Sequence, residues 1–104
     1  GPTTLRVPGD LRIEAPNGKV SISADREVEI EAPRLAVRTG VFDLAAHRII
    51  EKVQDAFLWV SGLFQLRAHR SKLLTESTMH VKAGSATLKA EGPMNIDGES
   101  IHLG

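Results

Sequence analysis

The sequence predicts a mainly β protein with a helical insert: a homotrimeric triple-stranded β-helix, or prism, flanking a central α-helical three-helix-bundle segment. Three observations predict it. Both ends carry a short alternating apolar repeat, and the middle carries a seven-residue apolar repeat. All four aromatics, Phe42, Phe57, Trp59 and Phe64, are confined to that middle. On this reading Gly1 and Pro2 are a protease-cleavage scar, 3–41 is an amino-terminal run of repeats, 42–74 is the insert and 75–104 resumes the repeats, all within one intertwined domain.

The amino-terminal run aligns Leu11-Arg-Ile13-Glu-Ala15, Val20-Ser-Ile22-Ser-Ala24 and Val28-Glu-Ile30-Glu-Ala32, then a looser Leu35-Ala-Val37. Each unit alternates apolar and polar residues, which in an extended chain sends them to opposite sides. Pro16-Asn17-Gly18, Asp25-Arg26 and Pro33-Arg34 separate the units and carry the fixed-φ and positive-φ chemistry that corners use. Downstream the pattern returns as Met79-His-Val81-Lys-Ala83, Ala86-Thr-Leu88-Lys-Ala90, Met94-Asn-Ile96 and Ile101-His-Leu103, punctuated by Gly84, Gly92-Pro93 and Gly98.

A repeat this short supplies one strand and one corner, whereas a three-sided coil made by one chain needs about 18–20 residues. The reading therefore winds three chains together. Their shared core is Leu11, Ile13, Val20, Ile22, Val28, Ile30, Val37, Val81, Leu88, Ile96, Ile101 and Leu103. Without partners each short strand would leave its backbone edges and apolar row in water. Arg12, Glu14, Glu29, Glu31, Lys82 and Lys89 would decorate the outside. A monomeric β-sandwich is the alternative, since it too shows turns every 8–12 residues, but the flanks lack aromatic filling.

In the insert, Ala46, Ile49, Ile50, then Val53, Ala56, Phe57, then Val60, Leu63, Phe64 repeat the offsets 0, +3, +4. That spacing predicts one broad helical face, wide enough for a three-helix bundle. Asp43 is the expected N-cap, and Arg67, Arg70 and Lys72 suit the carboxyl-terminal end of the helix dipole. Gly62 marks a kink or break. Leu58, Trp59 and Leu66 fall off the face, where they pack on a neighbouring element or form a partner-docking patch.

Composition excludes several functions. Thirteen basic and thirteen acidic residues balance to zero net charge, which provides no electrostatic footprint for nucleic acid or an anionic membrane. With no cysteine there is no disulfide framework, thiolate nucleophile or cysteine zinc site. No apolar run reaches the length of a membrane span. No nucleophile elbow, dinucleotide fingerprint, phosphate-binding loop or zinc-protease helix is present, so no enzyme activity and no cofactor are expected. Ser77, His80 and Asp97 make a triad only by composition. His80 and His102 alternate with the apolar row and so face outward; only a flipped register would let threefold copies of them converge on a metal. His47-Arg48 and His69-Arg70, each after an alanine, read as solvated pairs.

The repeats resemble the triple-stranded β-helices of contractile-injection spikes, including phage tail needles and the valine-glycine-repeat spike proteins of type VI secretion. The stretch Trp59-Val-Ser-Gly-Leu-Phe-Gln-Leu-Arg-Ala-His-Arg70 and the ending Met94-Asn-Ile96-Asp97-Gly98-Glu-Ser-Ile101-His102-Leu103-Gly104 resemble an accessory family of unknown function encoded beside those spikes. The resemblance spans nearly the whole chain, as the carboxyl-terminal part of a longer protein. It implies a trimeric, non-enzymatic spike component or effector-loading adaptor. Such a protein would reside in the bacterial cytoplasm and be assembled onto, or secreted with, the apparatus, with spike or effector proteins as partners. An adaptor or chaperone that grips an effector through the insert is the companion expectation. Two departures stand out: the insert is foreign to a plain needle, and the His-x-His pair that holds an axial metal in some phage tips is missing.

Overall fold

A computed structural model describes residues 1–103 and divides the chain into two units, Gly1–Lys52 and Val53–Gly104. Gly104, which ends the segment carrying the resemblance, lies outside the described residues. In Gly1–Lys52 the backbone bends at Pro8-Gly9, Pro16-Asn17-Gly18, Asp25-Arg26, Pro33, Gly40 and His47. In Val53–Gly104 it bends at Gln54, Ser61-Gly62, His69-Arg70, Glu76-Ser77, Gly84-Ser85, Glu91-Gly92 and Glu99. Between bends the chain runs without helix or strand. Within each unit, no two described residues twelve or more apart bring their Cα atoms within 8 Å.

This corrects the expected fold class. The mainly β prism with a central helical bundle is not what the chain forms: the described residues contain neither a strand nor a helix, and none of them is buried. The β-sandwich alternative fails on the same observation. A strand needs a hydrogen-bonded neighbour. Among the described residues, one backbone hydrogen bond closes a turn and no segment pairs with another. Tight hairpins use turns with positive φ, and no described glycine has a φ in the left-handed region. The positive-φ corners expected from Gly18, Gly84, Gly92 and Gly98 are therefore absent, and the bends redirect the chain without returning it on itself.

The helix expected over 42–74 fails for a second reason. Gly40, His47, Gln54 and Ser61 bend at intervals of seven residues. Seven residues make two helical turns, and they equally make one extended segment plus one bend, so the two produce the same apolar recurrence. The side chains distinguish them. Phe57 and Trp59 stack, with ring centroids 5.6 Å apart and planes 14° from parallel. Residues two apart lie on the same side of an extended chain and on nearly opposite sides of a helix. Ala46, Ile49, Ile50, Val53, Ala56, Phe57, Val60, Leu63 and Phe64 thus belong to successive extended stretches rather than to one helical face.

Local chemistry accounts for the best-defined bends. Pro16 presets φ at the second position of the turn, and the Gly18 N–H donates to the Ala15 carbonyl at 3.1 Å. Ala15 is partly covered there, and every other described residue is exposed. At Gly40 the Thr39 hydroxyl donates across the bend to the Val41 carbonyl at 2.8 Å. Farther along, the Ser77 and Thr78 hydroxyls approach to 3.4 Å.

The accessible surface measures the result. The chain exposes 12938 Å². A compact monomer of 11.3 kDa would expose about 5,700 Å², and a fully unfolded chain about 16,400 Å². Ordering the backbone costs about 1–2 kcal/mol per residue, and neither unit has an interior to offset that.

Candidate functional site

The recurring feature is an alternation with two distinct sides. The Arg12 Nε lies 3.5 Å from the Glu14 Oε1, which sets these two charges on one side of their segment and leaves Leu11 and Ile13 to the other. By the same alternation Val20 and Ile22 oppose Lys19, Ser21 and Ser23, and Val28 and Ile30 oppose Glu27, Glu29 and Glu31. All twelve residues expected in a shared core, from Leu11 through Val37 and from Val81 to Leu103, are exposed within the chain. So are the nine residues of the expected insert core.

The residues 55–60 carry apolar groups on both sides. Ala56, Leu58 and Val60 share one side, and Asp55, Phe57 and Trp59 share the other. This divides the expected docking trio: Trp59 stacks on Phe57, while Leu58 points away from them, and Leu66 lies in the next stretch beyond Ser61-Gly62. The pairing of Phe57 with Trp59 was hidden because the heptad placed Phe57 in a helical core. Two aromatics at positions i and i+2 were the signal available.

The chemistry-bearing residues do not converge. His80 and His102 lie in separate stretches of Val53–Gly104, with Cα atoms more than 8 Å apart, and so do Asp97 and both Ser77 and His80. No group of three or more His, Asp or Glu is arranged to hold a metal among the described residues. His47 and His69 each sit at a bend, with an alanine before and an arginine after. Two open hollows occur, one of about 370 Å³ against Ala45, Ala46 and His47 and one of about 360 Å³ against Lys89, Ala90 and Glu91. Each is the inner side of a bend, lined by consecutive residues with no opposing wall. A binding pocket for a small molecule needs convergent walls. No described helix is long and apolar enough to cross a membrane.

Geometry thus defines a bent, two-sided repeat whose usable chemistry is surface rather than cavity. The chain belongs to the protein family of unknown function DUF3540, which matches residues 34–104. Comparison with curated proteins and with solved structures gives no match.

Proposed function

We propose that the chain is a structural component or adaptor of a contractile-injection spike of the type VI secretion kind, working as a homotrimer in protein–protein assembly or effector loading. Exposure of the apolar rows carries this reading. From Leu5 to Leu103 the large hydrophobic side chains are open to solvent, and soluble proteins do not leave contiguous apolar surface of that extent uncovered. The excess over a compact monomer is about 7,200 Å² per chain. An ordinary recognition interface buries only about 800 Å² on each partner, so cover on this scale calls for copies in contact along much of their length. Three copies about one axis give every apolar row two neighbours.

The assignment to a secretion spike rests on the repeats and on the two stretches that resemble the spike-associated family, Trp59–Arg70 and Met94–Gly104. The absence of converging chemistry among the described residues favours assembly over catalysis. Partners are then spike or effector proteins, met in the bacterial cytoplasm before the apparatus fires. The test is molar mass by light scattering across a dilution series, followed by mixing with the spike trimer from the same cell. A mass of three chains and a stoichiometric complex with the spike are expected. A folded single chain overturns the homotrimer, and a trimer that ignores both spike and effectors overturns the role in secretion.

A further inference from the structure

We infer that Asp55, Phe57 and Trp59 form a docking surface for an arginine-bearing segment of a partner protein. The inference rests on the homotrimeric reading above, because it is the copies that cover the other side of the same stretch. Ala56, Leu58 and Val60 continue the apolar row, and Phe42 and Phe64 share alternation with the apolar residues Leu44, Ala46, Leu66 and Ala68 of their own stretches. Phe57 and Trp59 are the two aromatics on the opposite side. In neighbouring repeats that side carries Glu27, Glu29, Glu31, Lys82 or Lys89, which need no cover.

The geometry selects the partner's chemistry. The two rings are stacked at 5.6 Å with no ligand to align them, so little ordering remains to be done on binding. Trp59 is 84% exposed, which leaves the outer indole face open. Asp55 shares their side and forms no ion pair among the described residues. A guanidinium fits both features at once: its plane lies on the indole, and its N–H fork donates to the carboxylate. A lysine ammonium lacks the flat face, and an aliphatic side chain leaves Asp55 without a partner. Three copies would present three such surfaces, so a segment with repeated arginines gains by multivalent engagement.

Trp59 is the sole tryptophan and the chain has no tyrosine, so intrinsic fluorescence reads this surface alone. The experiment uses the full chain at concentrations where light scattering reports its assembled mass. It titrates the peptide acetyl-Gly-Arg-Gly-Arg-Gly-amide against its lysine counterpart. Before peptide, Trp59 should emit as a water-exposed indole and be readily quenched by acrylamide. The arginine peptide should then change the emission saturably, binding about five- to tenfold tighter than the lysine peptide. Asp55→Asn should weaken it about fivefold at unchanged assembled mass. A trimer whose Trp59 is blue-shifted and shielded from acrylamide overturns the inference, since the copies themselves then cover the ring. So does an absent response, or an equal response to the two peptides. A single-chain mass instead removes the homotrimeric reading, and with it the distinction between covered and open sides.

Discussion

Replacing Ile22 by alanine separates cover within the chain from cover between chains. Ile22 is 76% exposed in its own chain, so truncating it should cost almost nothing if the chain acts alone. At a site covered by neighbouring copies, the same truncation costs about 2–5 kcal/mol. In a homotrimer the loss is counted three times, about 6 kcal/mol at the lower limit, or about four decades in the three-chain dissociation constant. The concentration of half-assembly follows the square root of that constant, so it should rise at least about a hundredfold. The control is Ser23→Ala, on the opposite side of the same stretch, where a surface substitution stays within about 0.5 kcal/mol and shifts the midpoint by about threefold at most. Sedimentation equilibrium across a dilution series reads both. An Ile22→Ala midpoint within about threefold of the parent would refute the reasoning.

Two further substitutions test the local structure. Gln54→Pro would cost about 3 kcal/mol or more inside a helix, but Gln54 sits at a bend with no backbone hydrogen bond in the chain. Its urea midpoint should therefore fall by less than about 1 kcal/mol per chain, and a loss of the helical size would restore the helix over 42–74. Gly18→Ala places a Cβ 4.0 Å from the Ala15 Cβ, an ordinary contact, at a φ outside the left-handed region. The variant should be stabilised by about 0.4–1 kcal/mol per chain through the unfolded state. A lower thermal midpoint would contradict the turn geometry.

The sequence was legible where bends have their own chemistry. Pro16-Asn17-Gly18, Asp25-Arg26, Pro33, Gly84 and Gly92 all stand at bends, and each interrupts a clean alternation. It was opaque in the middle, where His47, Gln54, His69-Arg70 and Glu76-Ser77 bend the chain with neither glycine nor proline. Apolar residues on both sides of 55–60 erased the alternation there and left only the seven-residue recurrence, which helix and bent chain share. For the candidate site, Trp59 was recognisable as an outlier from the apolar pattern, but its companion was not. Leu58 and Leu66 were neighbours of Trp59 in a helical projection, whereas Phe57 is its neighbour in space. Interior burial could not be read at all, because the apolar rows look the same whether one chain or several supply the cover.

The unequal bends also govern how such a chain can change over generations. Pro33 bends with one residue, Asp25-Arg26 with two and Pro16-Asn17-Gly18 with three. An added residue inside a stretch inverts every side chain up to the next bend and turns its apolar row to water. At a bend the same addition is absorbed without disturbing the stretches on either side. Variation in length is therefore steered to the corners, and larger changes come in whole repeats, so the gene lengthens by the step and rarely by the letter.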